Sequence, residues 1–159
     1  MKYQSTLIVV SDIERSKAFY KKYLGLDVAV DFGANVTLSG GIALKTLETW
    51  REFIGGLPVD FKGNAGELYF EEDNFDEFLD NLSGLELVHP PVQHSWGQRV
   101  VRFYDPDGHI IEVGENMGAV ARRFRENGMT IPEIAVRMDV REDYVREWLS
   151  PATPQNKHD

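Results

Sequence analysis

Two charged side chains that could bind a ligand lie in the last β-rich stretch of the chain, VVRFYDPDGHIIEVGE (residues 100–115). Glu112 stands between apolar neighbours in HIIEV, and a carboxylate buried there needs a partner or a raised pKa. The alternative interpretation is that Glu112 is an acidic residue exposed to solvent at the edge of a sheet. Arg102 alternates with Val101 and Phe103, so it is either a clamp for an anionic ligand or a salt-bridge partner at the rim of a site.

Aromatic and imidazole side chains elsewhere supply further candidates. Trp50 and Trp96 could stack on an organic ligand, although large aromatic residues more often belong to a core or an interface. Tyr69 either donates a hydrogen bond to a ligand or packs against its neighbours. His94, in the polar loop VQHSW, is either a general base or a solvated loop histidine.

The composition limits the classes of function. The 159 residues are 42% hydrophobic and 27% charged, which is typical of one soluble globular domain, and no run of roughly 20 apolar residues could span a bilayer. The sequence has no cysteine and no signal-peptide pattern at its N-terminus, so we expect a cytoplasmic protein. The formal net charge of -9 repels nucleic acid and anionic membranes over most of the surface.

The elements that must position these residues begin with a strand, a helix and three more strands. STLIVV predicts the first strand, and SDIERSKAFYKKYLG predicts a helix that ends at Gly25. LDVAVDFG, ANVTLSG and GIALKTL predict short strands separated by glycine turns. The connection that follows, TWREFIGGLPVDFKGNAG, has room for one helical turn around Trp50.

The same order repeats in the second half of the chain. ELYFEE predicts a strand, NFDEFLDNLSG a helix, and LELVHP, GQRVVRFYD and HIIEVGE three more strands. The last two strands are joined by the tight DPDG turn, in which proline presets one backbone dihedral and glycine accepts a positive one. The chain therefore contains two βαβββ units in tandem, which predicts an α+β fold.

The remainder of the sequence predicts an added helical segment. NMGAVARRFRENGMTIPEIAVRMDVREDYVREWL contains three short helices, of which the first ends near Asn127, the second starts at Thr130 and the third starts at Arg141. Thr130 and Glu133 fit a capping box. We therefore expect a helical extension over residues 116–150 and a flexible tail over residues 151–159, where the sequence has no periodicity.

The opening VVSDIERSKAFYKKYLGL, the closing WGQRVVRFYDPDGHIIEVGE and the duplicated unit resemble the glyoxalase, bleomycin-resistance and extradiol-dioxygenase superfamily, also called the vicinal oxygen chelate fold. The resemblance covers residues 1–115. It implies that the two tandem βαβββ units form a curled mixed sheet around a cup, and that the protein is a bacterial-type homodimer that binds a small organic molecule there. The fold hosts isomerases, dioxygenases, epimerases, thiol transferases and non-catalytic drug-binding proteins, so it does not fix the activity.

In the metalloenzymes of this superfamily, His, Gln and Glu from the first and last strands of each unit hold a divalent ion. Transferred to this chain, the positions fall on Ser5, Lys45, Glu67 and Glu112, with Leu44 replacing Lys45 if the alignment shifts by one residue. Only Glu112 matches the family pattern. Because a protonated lysine has no lone pair for a metal, we expect no bound metal and a salt bridge between Lys45 and Glu112.

The sequence TIPEIAVRMDVREDYVREWL also resembles a helix-turn-helix, which would imply DNA binding. Its last helix begins with Arg141, Glu142 and Asp143, and two acids there would face phosphates. The sequence therefore argues against nucleic acid as a partner. We interpret the segment as a helical cap over the cup or as an arm packed on a second subunit, because its apolar residues would otherwise be exposed to solvent.

Three hypotheses of function follow. The favoured one is a small-molecule-binding protein without a catalytic metal. Its ligand-binding residues would be Lys45, Trp50, Tyr69, His94, Trp96 and Arg102. The alternative is a metal-dependent lyase, isomerase or dioxygenase in which Glu112 and Glu67, with His94, hold a divalent metal and act in catalysis. The least favoured is a DNA-linked sensor that uses the C-terminal helices.

Overall fold

The computed structural model of the chain describes residues 3–150, and the tail expected over residues 151–159 lies outside them. No helix among the described residues is long and apolar enough to cross a membrane. The elements, in chain order, are β1 (Thr6–Val10), α1 (Ile13–Leu24), β2 (Val28–Asp31), β3 (Asn35–Leu38), β4 (Ile42–Thr46), α2 (Leu47–Phe53), β5 (Glu67–Glu72), α3 (Phe75–Asp80), β6 (Leu87–Gln93), β7 (Arg99–Tyr104), β8 (Ile110–Glu115), α4 (Met117–Glu126), α5 (Ile131–Met138) and α6 (Glu142–Leu149).

The predicted duplication is confirmed by the order of the strands. The first sheet has the order β1-β4-β3-β2 and the second has the order β5-β8-β7-β6, which is the same order shifted by four strands. In the first sheet β1 is parallel to β4, whereas β3 is antiparallel to both β4 and β2. The α+β class, the two mixed four-stranded sheets and the C-terminal helices all agree with the prediction.

The chain divides into two compact units. The first contains the described residues up to 68 together with 81–88 and 103–111, and the second contains 69–80, 89–102 and the described residues from 112 onward. The division does not follow the two βαβββ repeats, because strands β5, β6, β7 and β8 each contribute residues to both units. The domain boundary expected between residues 115 and 116 stays a prediction.

In the first unit, α1 packs on β4 and covers one face of the sheet. Asp12 caps the helix by accepting the backbone N–H of Arg15 at 2.9 Å, and Gly25 ends it with a φ of 66°. The apolar side of the helix and one face of the sheet together form a buried core, which includes Val10, Phe19, Tyr20, Val36 and Leu44. Charged residues on the opposite face of β4 are therefore outside this apolar layer.

The C-terminal helices have the ends that the sequence predicts. Helix α4 ends just before Asn127, and Thr130 and Arg141 are the N-cap residues of α5 and α6. The backbone N–H of Thr130 donates to the Glu133 carboxylate at 2.7 Å, as a capping box requires. Apolar side chains of all three helices bury one another in a cluster of Val120, Ala121, Phe124, Ile134, Ala135, Met138 and Val145.

Candidate functional site

A buried ion pair lies in the middle of the β7–β8 hairpin. The backbone N–H of Asp105 donates to the carbonyl of His109 at 3.0 Å, and counting outward from these two residues places Arg102 opposite Glu112. The Glu112 side chain is only 8% exposed, and its carboxylate forms an ion pair with the guanidinium of Arg102. Glu112 therefore has the cationic partner that a buried carboxylate needs.

Within its own unit, the cation beside Glu112 is Arg102. The predicted pair of Glu112 with Lys45 would join residues of the two units, and it stays a prediction. The pairing with Arg102 has a local physical reason. Arg102 lies on the neighbouring strand of the same sheet, directly across from the carboxylate, and the tight turn of the hairpin brings the two together. The alternative interpretation, that Glu112 is exposed at the edge of a sheet, is wrong, because its side chain is only 8% exposed.

Lys45 is a buried cation with a different environment. The register of β1 and β4 pairs Val9 with Lys45, so Lys45 lies on the face of Val9, and Leu44 lies on the opposite face in the core. Lys45 is 9% exposed, and its Nζ lies over the ring of Phe53, 4.9 Å from the ring centroid. Within the described residues of the first unit, no carboxylate lies at salt-bridge distance from this ammonium and no hydrogen bond joins it.

Helix α2 brings aromatic side chains to the same region. It begins directly after β4 and contacts both β1 and β4, so the connection around Trp50 forms a seven-residue helix instead of the single turn predicted. Trp50 is half-buried, whereas Phe53 is 67% exposed although its ring covers the Lys45 ammonium. The face of Lys45 is therefore bordered by apolar surface that solvent can reach.

In the second unit, a buried glutamine holds two of the predicted aromatic residues. Gln98 donates from Nε2 to the hydroxyl of Tyr69 and to the backbone carbonyl of Glu115, both at 3.0 Å, and its Oε1 accepts from Nε1 of Trp96 at 3.2 Å. Tyr69 in turn donates to the Glu71 carboxylate at 3.0 Å. Burial raises the pKa of Tyr69, so its hydroxyl remains a donor at neutral pH. Sequence reasoning missed Gln98, although it follows the Trp-Gly pair in WGQR.

His94 and Trp96 form a flat aromatic surface. Their rings stack with centroids 4.1 Å apart and an angle of 15° between the planes. Burial lowers the pKa of His94, and the positive charges of Arg102 and His89 lower it further. The imidazole is therefore neutral at pH 7, and it is half-buried instead of fully solvated.

Glu67 and Ser5 complete the set of predicted positions. Ser5 is half-buried just before β1, and Glu67 is exposed at the first position of β5. Glu67 borders a pocket of about 340 Å³ in the first unit. The other residues of that pocket are Thr6, Ile8, Gly63, Ala65, Gly66, Leu68, His109 and Ile110.

A second buried carboxylate, Glu115, joins several elements of the second unit. It accepts hydrogen bonds from Nη2 of Arg99 at 3.1 Å and from Nη2 of Arg123, on α4, at 2.8 Å. Burial alone would raise the pKa of Glu115, but the two guanidinium groups outweigh burial and the pKa is lowered. Arg99 also pairs with Asp76 of α3 at 2.7 Å. This cluster connects β7 and β8 to α3 and α4, which is a structural role.

The residues at the four ligand positions do not suit a divalent metal ion. Lys45 brings a positive charge, Glu112 is neutralised by Arg102, and Ser5 is an uncharged hydroxyl. Glu67 is exposed at the start of β5 and is a single carboxylate. Metals such as zinc are held by three or four anionic or imidazole donors, so this set lacks the donors that a stable site requires.

Several known proteins are similar to the β-rich part of the chain. Residues 3–118 match the family model described as a glyoxalase-like domain. A solved protein of unknown function from Agrobacterium tumefaciens strain C58 is 39% identical, with a TM-score of 0.66, and the match covers 73% of this chain and 94% of that chain. The uncharacterized protein YraH of Bacillus subtilis (strain 168) is 28% identical over 124 residues, covering 71% of this chain and 97% of YraH.

A glyoxalase/bleomycin resistance protein/dioxygenase family enzyme from Burkholderia phytofirmans PsJN shares the fold, with a TM-score of 0.61 and 18% identity over 70% of this chain and 96% of that chain. The family match ends at residue 118, within the first turn of α4. Helices α5 and α6 therefore lie outside the matched domain.

Proposed function

The chain belongs to the glyoxalase-like domain family, and from this premise we propose that it binds a small organic anion without a catalytic metal, and that the anion pairs with Lys45. The observation that carries the proposal is the environment of Lys45. The Lys45 residue is 9% exposed, and within the described residues of the first unit its ammonium has the ring of Phe53 as a neighbour but no counter-ion.

Buried charges in proteins are normally paired, because desolvation of an isolated ammonium is costly. A carboxylate or phosphonate of a ligand would supply the missing charge and would gain a charge-assisted hydrogen bond. Phe53 and the half-buried Trp50 on α2 add apolar surface for the organic part of such a ligand. This combination supports a small anion with an aromatic or aliphatic body.

The absence of a catalytic metal is part of the proposal and rests on the state of Glu112. A carboxylate that already pairs with Arg102 is a poor metal ligand, because a cation bound there would have to compete with the guanidinium for the same oxygens. The roles of Glu67 and Glu112 in catalysis, which belong to the metalloenzyme alternative, therefore stay predictions.

The second unit contains the other ligand contacts predicted from the sequence, which are not part of the site proposed at Lys45. The stacked rings of His94 and Trp96 offer a flat surface, and Tyr69 and Arg102 offer donors. Each of these side chains is already held by a neighbour, so a ligand would meet pre-organised groups. Their role as ligand contacts stays a prediction.

The test is isothermal titration calorimetry with benzoate and with benzyl alcohol, which has a similar body and no charge. We expect benzoate to bind the unaltered protein 10-fold to 100-fold more tightly than benzyl alcohol, about the range that one hydrogen bond to a charged group provides. Lys45→Met should remove this preference, and Lys45→Arg should keep part of it. Equal binding of the two compounds, or an unchanged preference in Lys45→Met, would overturn the proposal.

A second measurement addresses the metal. Protein purified without chelator or affinity metal should contain far less than one equivalent of zinc, nickel, manganese or iron, and its melting temperature should not rise when these ions are added. Near-stoichiometric metal, or a rise of several degrees that Glu112→Gln abolishes, would favour the metal-dependent enzyme instead.

Duplex DNA is not the partner that we propose. In α6, Arg146 pairs with Glu142, and Arg141 before the helix pairs with Asp143. Arginines neutralised in this way contribute little to phosphate binding. Fluorescence anisotropy of labelled duplex DNA at low salt should therefore show no binding. The homodimer and the cytoplasmic location expected from the sequence stay predictions.

A further inference from the structure

A histidine outside the predicted set is held by a buried aspartate in the DPDG turn. The Nδ1 atom of His109 lies 2.8 Å from Oδ2 of Asp105, and the same oxygen accepts the hydroxyl of Tyr20 at 3.0 Å. Oδ1 of Asp105 accepts the backbone N–H groups of Asp107 and His109, both at 2.9 Å. Tyr20 and Asp105 are both buried, so His109 is positioned by a network closed to solvent.

The turn that carries His109 is also fixed from outside. Asp107 accepts the backbone N–H of Ser11 at 3.1 Å and pairs with Arg15 at 3.1 Å. The ring of Phe61 meets the His109 imidazole edge to face, with centroids 6.2 Å apart. These contacts hold the imidazole in one orientation before any ligand binds. The entropy cost of binding a ligand through His109 is therefore lower.

The network also decides which ring nitrogen carries the proton. Burial by itself would raise the pKa of Asp105, but the hydrogen bonds from the His109 side chain and from the backbone N–H groups of His109 and Asp107 help to outweigh burial, and the pKa is lowered. An ionised carboxylate only accepts hydrogen bonds, so Nδ1 of His109 must donate. In the neutral imidazole, Nε2 then carries a lone pair and no proton.

His109 also borders the pocket of about 340 Å³ in the first unit. This volume lies at the small end of the range of ligand sites, roughly 300–1,000 Å³. Ile8, Leu68 and Ile110 give the pocket apolar walls, and Glu67 adds a negative charge at its edge. Within residues 3–150, no hydrogen bond engages Nε2 of His109.

We propose that this pocket is a second ligand site, in which Nε2 of His109 accepts a hydrogen bond from a hydroxyl or N–H group of a small, mostly apolar molecule. Glu67 makes the pocket unsuited to anions, so its ligand class differs from that proposed for Lys45. Asp105 and Tyr20 are positioning residues, since they act through His109 and do not border the pocket.

The test uses phenol as the probe and anisole, which lacks the hydroxyl donor, as its matched control. We expect phenol to bind the unaltered protein about tenfold more tightly than anisole, as one hydrogen bond between neutral groups provides. The ¹⁵N resonance of His109 should show a proton on Nδ1 in the free protein, and the Nε2 resonance should shift as phenol is added. Excess benzoate should not displace phenol, which separates this site from that of Lys45.

Two variants complete the test. His109→Phe keeps a ring but removes the acceptor, so phenol and anisole should bind it equally. Because this change also removes a donor from Asp105, a second variant leaves that network intact: Ala65→Trp fills the pocket from an exposed loop and should abolish phenol binding while the His109 resonances of the free protein keep the Nδ1 proton. Equal binding of phenol and anisole to the unaltered protein, a proton on Nε2, or unchanged phenol binding in Ala65→Trp would overturn the proposal.

Discussion

Strands β4 and β8 occupy the same place in the two sheets, and each carries a buried charge at the position that the metalloenzymes of the superfamily use for a metal ligand. In β4 this charge is Lys45, which is 9% exposed and lies over the ring of Phe53. In β8 it is Glu112, whose side chain is 8% exposed and which pairs with Arg102 on the neighbouring strand. The same topology therefore holds a neutralised charge in the second sheet, whereas Lys45 in the first sheet has no carboxylate partner among the described residues of its own unit.

This difference indicates what each sheet is suited to do. The Glu112–Arg102 pair places a cation beside the buried carboxylate, so it stabilises a fixed arrangement of β7 and β8. The ammonium of Lys45 has unused capacity for an anion, because an aromatic face compensates less for desolvation than a carboxylate does. A ligand anion would therefore neutralise Lys45 in the first sheet, as Arg102 neutralises Glu112 in the second.

The largest expected effect comes from removing the pairing in the second sheet. Arg102→Met leaves Glu112 buried without its cation, and we expect the free energy of unfolding to fall by about 3–5 kcal/mol. Urea unfolding followed by circular dichroism measures the change. The double variant Arg102→Met/Glu112→Leu should recover most of the loss, because buried ion pairs can be replaced by apolar residues at little cost. A double variant as unstable as the single one would show that the pair itself is not the cause.

The next effect concerns the other buried carboxylate of β8. Glu115→Gln removes the charge that Arg99 and Arg123 share, and we expect a loss of about 2 kcal/mol in the free energy of unfolding. The matched control is Asp76→Asn, which breaks a pair with the same Arg99 at a carboxylate that is 76% exposed. We expect the control to lose clearly less than Glu115→Gln, because water screens an exposed ion pair. Equal losses in the two variants would contradict the importance of burial at Glu115.

Acidification should produce a smaller change with a defined sign. The pKa values of Asp105 and Glu115 are lowered in the folded protein, in each case because hydrogen bonds and positive charges outweigh burial. Their contribution to stability is therefore present above the unfolded pKa values, about 4, and is lost as the pH falls from there through the folded values. Urea midpoints at pH 7, 5 and 3 should show most of the loss below pH 5. In Glu115→Gln the loss should be reduced, and an identical loss would contradict the assignment to Glu115.

The smallest effect on stability comes from giving Lys45 the partner that it lacks. Asn35 lies directly opposite Lys45 on β3, as Arg102 lies opposite Glu112. Asn35→Asp should therefore form a cross-strand ion pair and raise the free energy of unfolding by about 0.5–1 kcal/mol. It should also weaken benzoate binding, because the ammonium is then engaged. Asn35→Ser, which introduces no charge, is the control, and equal benzoate affinity in the two variants would contradict the account of Lys45.

Local signals in the sequence predicted most of the fold. The cap at Gly25, the pair of Thr130 and Glu133, and the DPDG turn each act within a few residues of the structure that they specify, so the helix ends and the last hairpin were found. The repeated order of strand and helix patterns predicted the two tandem βαβββ units. Helix α2 was underestimated because its apolar residues are stabilised by contact with β1 and β4, which no local pattern records.

The candidate site was harder to predict, because its contacts join residues that are distant in sequence. Glu112 was expected to be buried and paired, but its partner depends on the register of β7 and β8. Counting outward from the DPDG turn would have identified Arg102. The binding of Gln98 to Tyr69 and the binding of Tyr20 to Asp105 could not be inferred, since those residues are 29 and 85 positions apart. His109 was missed although Asp105 lies only four positions before it, because the pocket that His109 borders is formed by residues distant in sequence.

The most direct test of the central claim is a nuclear magnetic resonance titration of the ¹⁵N resonance of the Lys45 ammonium. The account predicts that benzoate shifts this resonance in a saturable manner, that benzyl alcohol does not, and that the guanidinium resonances of Arg102 remain unchanged. A Lys45 resonance that does not respond to saturating benzoate, or a response that occurs at Arg102 instead, would contradict the conclusion that the first sheet holds the uncompensated cation.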